Sequence, residues 1–160
     1  MKLKINRVVK NWVHANQIKI NNKNFIENKV SFGRRFAKQE VDLELWKKAF
    51  NEFNLIPSCV EPTYENFLGN HFIDGASVHI HKDQAPNYFV HTRCNLLLKK
   101  SLKGGNSIID EEEINLEEND LWLILASLES HGTTPIQGGE RLMFSFGDLV
   151  PIKQIESIIK

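Results

Sequence analysis

Beyond Tyr64 the apolar and β-branched residues gather in runs of five to seven: Phe67–Phe72, Ala76–His81, Thr92–Leu98, Asn106–Asp110, Leu121–Ala126 and Arg141–Phe146. Turn-forming residues separate them at Asp74-Gly75, Gly104-Gly105, Glu118-Asn119-Asp120 and Gly138-Gly139. Short runs bounded by such signals predict strands, and many at near-regular spacing predict a sandwich or barrel. The first part of the chain reads differently. Lys2 to Val9 alternates like a short strand. From Val41 to Phe53, Leu43, Trp46, Phe50 and Phe53 recur at three- and four-residue steps. That period predicts a helix with one apolar face, which Pro57 closes because the residue before a proline avoids helical angles. The expected fold is mainly β (α+β), a jelly-roll with one or more support helices ahead of it. The tail from Pro151 to Lys160 fits a helix or a strand equally well.

Strand parity sharpens this picture, since alternate residues on a strand face the same side. His79, His81 and Asp83 share a face; so do His91, Arg93 and Asn95, and again Arg141, Met143 and Ser145. Thr92, Cys94, Leu96 and Leu98 take the reverse face of the second strand, and Leu142, Phe144 and Phe146 that of the third. A solvated face would carry Lys, Glu and Thr. A face of His, Asp, Arg and Asn predicts the lining of a polar cavity.

Composition adds bounds. The 160 residues are expected to form one domain, 1–160, with its jelly-roll core at about 64–147. A hydrophobic share of 41% with 25% charged residues is that of an ordinary globular chain. Lys+Arg and Asp+Glu both total 20, so net charge gives no general pull towards nucleic acid or an anionic membrane. The basic pairs Arg34-Arg35 and Lys99-Lys100 read as solvated turns. Cys59 and Cys94 make no disulfide framework, which favours a reducing, cytoplasmic setting, with Cys94 a small buried thiol in its apolar run. The first residues lack the apolar core of a signal peptide, and LWLILASL is too short to span a bilayer.

Candidate chemistry centres on four residues. His81 and Asp83 are separated by one position, His131 lies far downstream, and Arg141 follows it ten positions later. Two imidazoles and a carboxylate can hold a divalent iron while leaving one side of the metal open. An arginine, charged at every relevant pH, holds a carboxylate through two parallel hydrogen bonds. Each residue alone has a plain reading: His81 a surface histidine beside Lys82, His131 a loop residue, Arg141 a surface ion-pair partner. Their conjunction at strand ends, between glycine-marked turns, points to a metal site with an acid-binding group. His79 leaves the first ligand open between His79 and His81.

These residues sit in segments that resemble a known family. HIHKD, RCNLLL, GGNSIID and ESHGTTPIQGGERLMFSF look like the core of the 2-oxoglutarate- and Fe(II)-dependent oxygenases, particularly the small prolyl-hydroxylase-like members, over about residues 64–147. The resemblance implies a double-stranded β-helix. It matches His81, Asp83 and His131 to the iron ligands, and Arg141 to the residue gripping the distal carboxylate of 2-oxoglutarate. Arg93 and Asn95 fall where further cosubstrate contacts occur. It implies iron(II), 2-oxoglutarate and O2 as reactants, and hydroxylation of an unactivated C–H bond in a peptide, a protein side chain such as proline, or a small amino-acid-like molecule. No nucleic-acid or membrane partner is expected. One position departs from the family: where some members carry Ser two residues after the Arg, this chain has Met143, so the distal carboxylate needs another partner, with Ser145 or Asn95 available. Tyr88, Phe89 and Trp122 are candidates for the substrate mouth, with Trp122 better read as core from its setting in LWLIL. The competing expectations are a cupin-type metal enzyme without 2-oxoglutarate and a non-catalytic jelly-roll used for binding or assembly.

Overall fold

The computed structural model describes residues 1–20, 28–31, 34–37, 42–59 and 66–160; Val41 and Tyr64, from which the helical and strand patterns are counted, lie outside them. In chain order the elements are β1 (Val8–Val9), α1 (Trp12–Ala15), β2 (Asn28–Ser31), β3 (Arg34–Ala37), α2 (Leu43–Glu52), β4 (Phe67–Phe72) and β5 (Phe89–Lys99). There follow β6 (Lys103–Gly104), β7 (Ser107–Ile109), β8 (Glu112–Ile114), β9 (Leu121–Ile124), β10 (His131–Thr133), β11 (Ile136–Gln137), β12 (Arg141–Pro151) and α3 (Ile152–Glu156). A seven-stranded sheet has the order β1-β9-β5-β12-β4-β3-β2, and the other strands form a three-stranded sheet, β10-β7-β8, and a ribbon, β11-β6. Every pairing is antiparallel. This is the double-stranded β-helix, a mostly β jelly-roll with few helices.

The alternation of side chains divides the interior into two clusters. Cys94, Leu96, Phe144 and Phe146 join Trp46, Ala49 and Phe50 of α2, together with Ile155 of α3, in one core. Leu97, Trp122, Ile124 and Met143 gather with Phe72, Ile109 and Ile136 in the other. β9 is therefore buried on both faces, which explains why it is apolar at every position although its alternate residues enter different clusters. Burial pushes the Cys94 thiol well above its ordinary pKa, so it stays an inert packing group.

Helix α2 starts where the Asp42 side chain accepts a hydrogen bond from the Leu45 amide at 3.0 Å, with Glu44 in the first turn favoured by the helix dipole. Its buried face is Leu45, Trp46, Ala49 and Phe50. Leu43 was expected on that face but is 39% exposed, since the first turn precedes the point where the helix meets the sheet.

Other expectations shift as well. Of Lys2–Val9 only Val8–Val9 forms a strand, with a lone bridge from Leu3 to Ile159. Ala76–His81 is not a regular strand; it is an extended segment tied to β10 at selected positions. β5 and β12 each run 11 residues, longer than their apolar runs, because polar positions pair along them too. The hairpin β7–β8 turns at Asp110-Glu111, both at positive φ, a turn that no glycine announces. Arg34-Arg35 lies on β3 and not in a turn. Lys99 and Lys100 are solvated and pair with Glu140 and Glu117. The tail resolves as the short helix α3. No helix among the described residues is long and apolar enough to cross a membrane.

Candidate functional site

A cavity of about 170 Å³ opens between the two sheets. Its wall takes alternate residues from the large sheet: Leu68, Asn70 and Phe72 of β4, Arg93 and Asn95 of β5, Trp122 and Ile124 of β9, and Arg141, Met143 and Ser145 of β12. The far wall is Ser107 of β7 and the whole of β10, with His81 and Asp83 from the extended segment. Parity placed these polar residues on common faces; the curl of the sheets brings the faces onto one cavity.

His81, Asp83 and His131 each offer a ligand atom, all within 4.8 Å of one another. Backbone pairing sets this proximity. His81 and His131 face each other across an isolated antiparallel bridge, each amide donating to the other's carbonyl, at 3.0 and 2.9 Å. The Asp83 amide donates to the Ala126 carbonyl at 2.8 Å, fixing the third residue. Gly132 lets the two segments approach. A Cβ there would lie 2.6 Å from the Val78 carbonyl oxygen and 3.0 Å from that of His79, so no larger residue fits without displacing the segment that carries His81.

The donor chemistry suits a divalent metal. His81 Nδ1 lies 2.8 Å from the His79 carbonyl oxygen, and His131 Nδ1 lies 3.0 Å from that of Glu129. A carbonyl only accepts, so each Nδ1 carries the proton and each Nε2 presents its lone pair. Both Nε2 atoms flank the same carboxylate oxygen: Asp83 Oδ1 is 3.2 Å from that of His81 and 3.9 Å from that of His131. The other oxygen, Oδ2, is engaged by His91 Nδ1 at 3.1 Å and Arg93 Nε at 3.5 Å. The hydrogen bond from His91, with the charge of Arg93 beside it, outweighs partial burial and holds the Asp83 carboxyl far below the usual range. Burial lowers the His131 imidazole, favouring its neutral, ligating form. His79 is exposed; its ring lies 5.1 Å from that of His81, and its carbonyl orients His81.

Arg141 lines the same cavity and is only 3% exposed. One terminal nitrogen donates to the Ser107 hydroxyl at 3.1 Å and the other to the Met143 sulfur at 3.1 Å. The guanidinium carbon lies 5.4 Å from the Phe72 ring centroid and 5.8 Å from that of Trp122, so the charge sits in an aromatic niche. A neighbouring cavity of about 290 Å³ shares Arg141 and Ser107.

The remaining candidates divide. Asn95 faces the cavity, with its side-chain oxygen buried and without a partner among the described residues. Arg93 reaches the cavity too, but its guanidinium meets Asp83 and, at 3.1 Å, the Ser145 hydroxyl. Ser145 is thereby taken up by Arg93. Tyr88, 80% exposed, and Phe89 are absent from the cavity wall, whereas Trp122 is fully buried and forms part of it. His91 and Ser107 are participants that sequence reasoning missed. Parity had placed His91 beside Arg93, a usable signal; nothing in the sequence brings β7 opposite β12.

Neither a protein-family profile nor a curated protein matches this sequence. Solved structures do. The viral collagen prolyl hydroxylase vCPH of Paramecium Bursaria Chlorella virus-1, in its 2OG complex, superposes with a TM-score of 0.51 at 12% identity, over 81% of this chain and 83% of that one. An oxidoreductase of the 2OG-Fe(II) oxygenase family from Burkholderia pseudomallei gives 0.44 at 14% identity, over 51% of this chain; the match spans only 42% of that protein. An RmlC-like cupin from Shewanella frigidimarina gives 0.46 at 12% identity, over 80% of this chain and 87% of that one. At such identities the likeness is one of fold.

Proposed function

We propose that this chain is a 2-oxoglutarate- and Fe(II)-dependent oxygenase. One observation carries the reading: a His-Asp-His set of metal donors and a buried arginine line a single small cavity. A guanidinium on the wall of the metal-donor cavity is placed to hold the acid group of a molecule bound at the metal, which a metal site alone would not require. Iron with 2-oxoglutarate would supply the power to turn an unactivated C–H bond into an alcohol using O2, with succinate and carbon dioxide released.

In this reading Nε2 of His81, Nε2 of His131 and Oδ1 of Asp83 hold the iron. His91 and Arg93 keep the second carboxylate oxygen occupied, which leaves Asp83 one oxygen to give. Arg141, aided by Ser107, holds the distal carboxylate of the oxo acid. Ser107 thus answers for the serine that Met143 displaces. A larger cavity of about 570 Å³ shares Leu68 and Arg93 with the metal cavity and is lined by Gln84, Pro86, His91 and Asp148. We assign the substrate, a peptide or an amino-acid-like molecule, to this side. The viral protein of the same fold is a collagen prolyl hydroxylase, which supports a prolyl or related side chain as substrate. A cupin-type enzyme working without 2-oxoglutarate would share the three ligands; the buried Arg141 favours the oxo-acid reading.

The test is spectroscopic. Anaerobic Fe(II) protein titrated with 2-oxoglutarate is expected to develop the weak visible metal-to-ligand charge-transfer band of the chelate. Folded, iron-loaded protein that shows no band overturns the proposal.

A further inference from the structure

Residues 125–130, LASLES, link β9 to β10 and include neither Gly nor Pro, so hydrogen bonds set their shape. The Leu128 and Glu129 amides both donate to the Leu125 carbonyl at 2.8 Å, and the Leu125 amide donates to the Glu129 carboxylate at 2.9 Å. The turn closed in this way holds three parts of the candidate metal site. The Ala126 carbonyl accepts from the Asp83 amide at 2.8 Å. The Ser127 hydroxyl accepts from the His91 amide at 3.0 Å, and the Ser127 amide donates to the His91 carbonyl at 3.3 Å; His91 in turn engages the second oxygen of Asp83. The Glu129 carbonyl accepts from His131 Nδ1 at 3.0 Å.

The turn is itself fastened from the far end of the chain. β1 pairs with β9 with Val8 opposite Trp122, and the Leu123 amide donates to the Arg7 carbonyl at 3.0 Å, which carries the pairing on to Arg7. That register brings the Arg7 side chain to the start of the turn. Its guanidinium donates to the Leu123 carbonyl at 2.7 Å and grips both carboxylate oxygens of Glu129, one of them at 2.9 Å. The Glu129 side chain has no exposed surface, and that of Arg7 is 17% exposed. An ion pair buried this deeply gains little net stability over an apolar pair of like volume, because both charges lose their water; what it can add is a single fixed arrangement. A bidentate fork fixes position and direction together. We propose that Arg7, acting through Glu129, is a positioning residue of the metal centre: it locks the turn that aims His131 and anchors Asp83 and His91. This rests on the metal assignment above and is independent of the oxo acid.

The test reads metal binding and one imidazole proton, not turnover. Arg7→Met combined with Glu129→Gln removes both charges together, and Gln keeps an oxygen for the Leu125 amide. In the full chain this double variant is expected to raise the Co(II) Kd, followed by the visible d–d absorption of the metal, about tenfold, as for the loss of a group that orients a metal-bound imidazole. In ¹⁵N-histidine-labelled, Zn(II)-loaded protein the Nδ1 proton of His131 should move upfield or broaden as its bond to the Glu129 carbonyl loosens. The Nδ1 proton of His81, bonded to the His79 carbonyl outside the turn, is the internal reference and should stay in place. Arg7→Lys keeps the charge and loses the fork, so it should move both readouts in the same direction by less; it carries the test if the double variant does not fold. Asp120→Asn is the control. Its buried carboxylate is tied to Lys10 and Asn11 of the same N-terminal stretch and not to the turn, so this variant should lower stability and leave the Co(II) Kd unchanged. If the Arg7 variants bind Co(II) as the wild type does, with the His131 proton in place, the ion pair is packing only and this proposal falls alone. An equal loss of affinity in Asp120→Asn, or an equal movement of the His81 proton, also overturns it, as general loosening. If folded wild-type protein binds neither Co(II) nor Zn(II), the metal assignment fails and the proposal with it.

Discussion

Arg141 concentrates the argument at the scale of single residues. It donates to Ser107 and Met143 on the wall of the metal-donor cavity. Arg141→Ala is expected to raise the 2-oxoglutarate Kd about a hundredfold, the loss of a charge-assisted bidentate contact, and to change Fe(II) affinity by less than about threefold. Isothermal titration of each ligand separates the two; equal loss of both would make Arg141 a structural residue. The candidate metal donors were legible because their spacing is local or tied to one strand end. The choice between His79 and His81 was not, since parity puts both on one face. In the structure the His79 carbonyl orients the His81 ring, and His81, not His79, lies in the cluster of possible metal donors. Ser107 stayed hidden because its role depends on which strands oppose one another, a fact that no local pattern encodes.

Elements show the same division. β4 was legible residue for residue, since its apolar run is bounded on one side by Asp74-Gly75. The turn at Asp110-Glu111 was invisible, because both residues take positive φ without being Gly or Asn; the Asp110 carboxylate compensates by accepting from the Ser130 amide at 2.9 Å. The segment 76–81 was expected as a strand and is an irregular arm, its bonds to β10 spent at Val78 and His81. Gly132 governs that junction. Gly132→Ala would thrust a methyl to 2.6 Å from the Val78 carbonyl oxygen. The arm should move away, raising the Fe(II) Kd by about tenfold and costing about 1–3 kcal/mol of stability. Metal titration beside urea unfolding checks both; an unchanged metal affinity would show that the arm does not set the ligand spacing.

The whole molecule is tied together by its first residues. Arg7 donates to the Leu123 carbonyl at 2.7 Å and pairs with the fully buried Glu129, whose backbone carbonyl in turn orients His131. Asp120, also buried, accepts from Lys10 at 2.8 Å and from the Asn11 and Glu117 amides at 2.9 and 2.8 Å. Burial opposes its charge, but these hydrogen bonds win and lower its pKa. A lowered folded-state value means stability that is complete above the unfolded carboxylate pKa of about 3.9 and lost as pH falls through the folded value. Asp120→Asn should cost about 1–3 kcal/mol at pH 7, with the gap to the wild type narrowing as the pH drops below about 4. Urea midpoints from pH 7 to 3 measure this; a gap constant with pH would sink the assignment. The ties from Arg7, Lys10 and Asn11 were not legible beforehand, because each joins residues more than a hundred positions apart.

The lone bridge between His81 and His131 gives this rim of the barrel a second character. Two backbone hydrogen bonds are a weak latch, and local opening is drawn from such thinly bonded places. A metal gripped by both imidazoles would close that latch from the side-chain side, binding the closed form and not the open one. Slow amide exchange at His81 and His131 would then report metal occupancy, and proteases would find the arm in the metal-free chain first. The centre assigned to chemistry would also serve as the clasp of the fold.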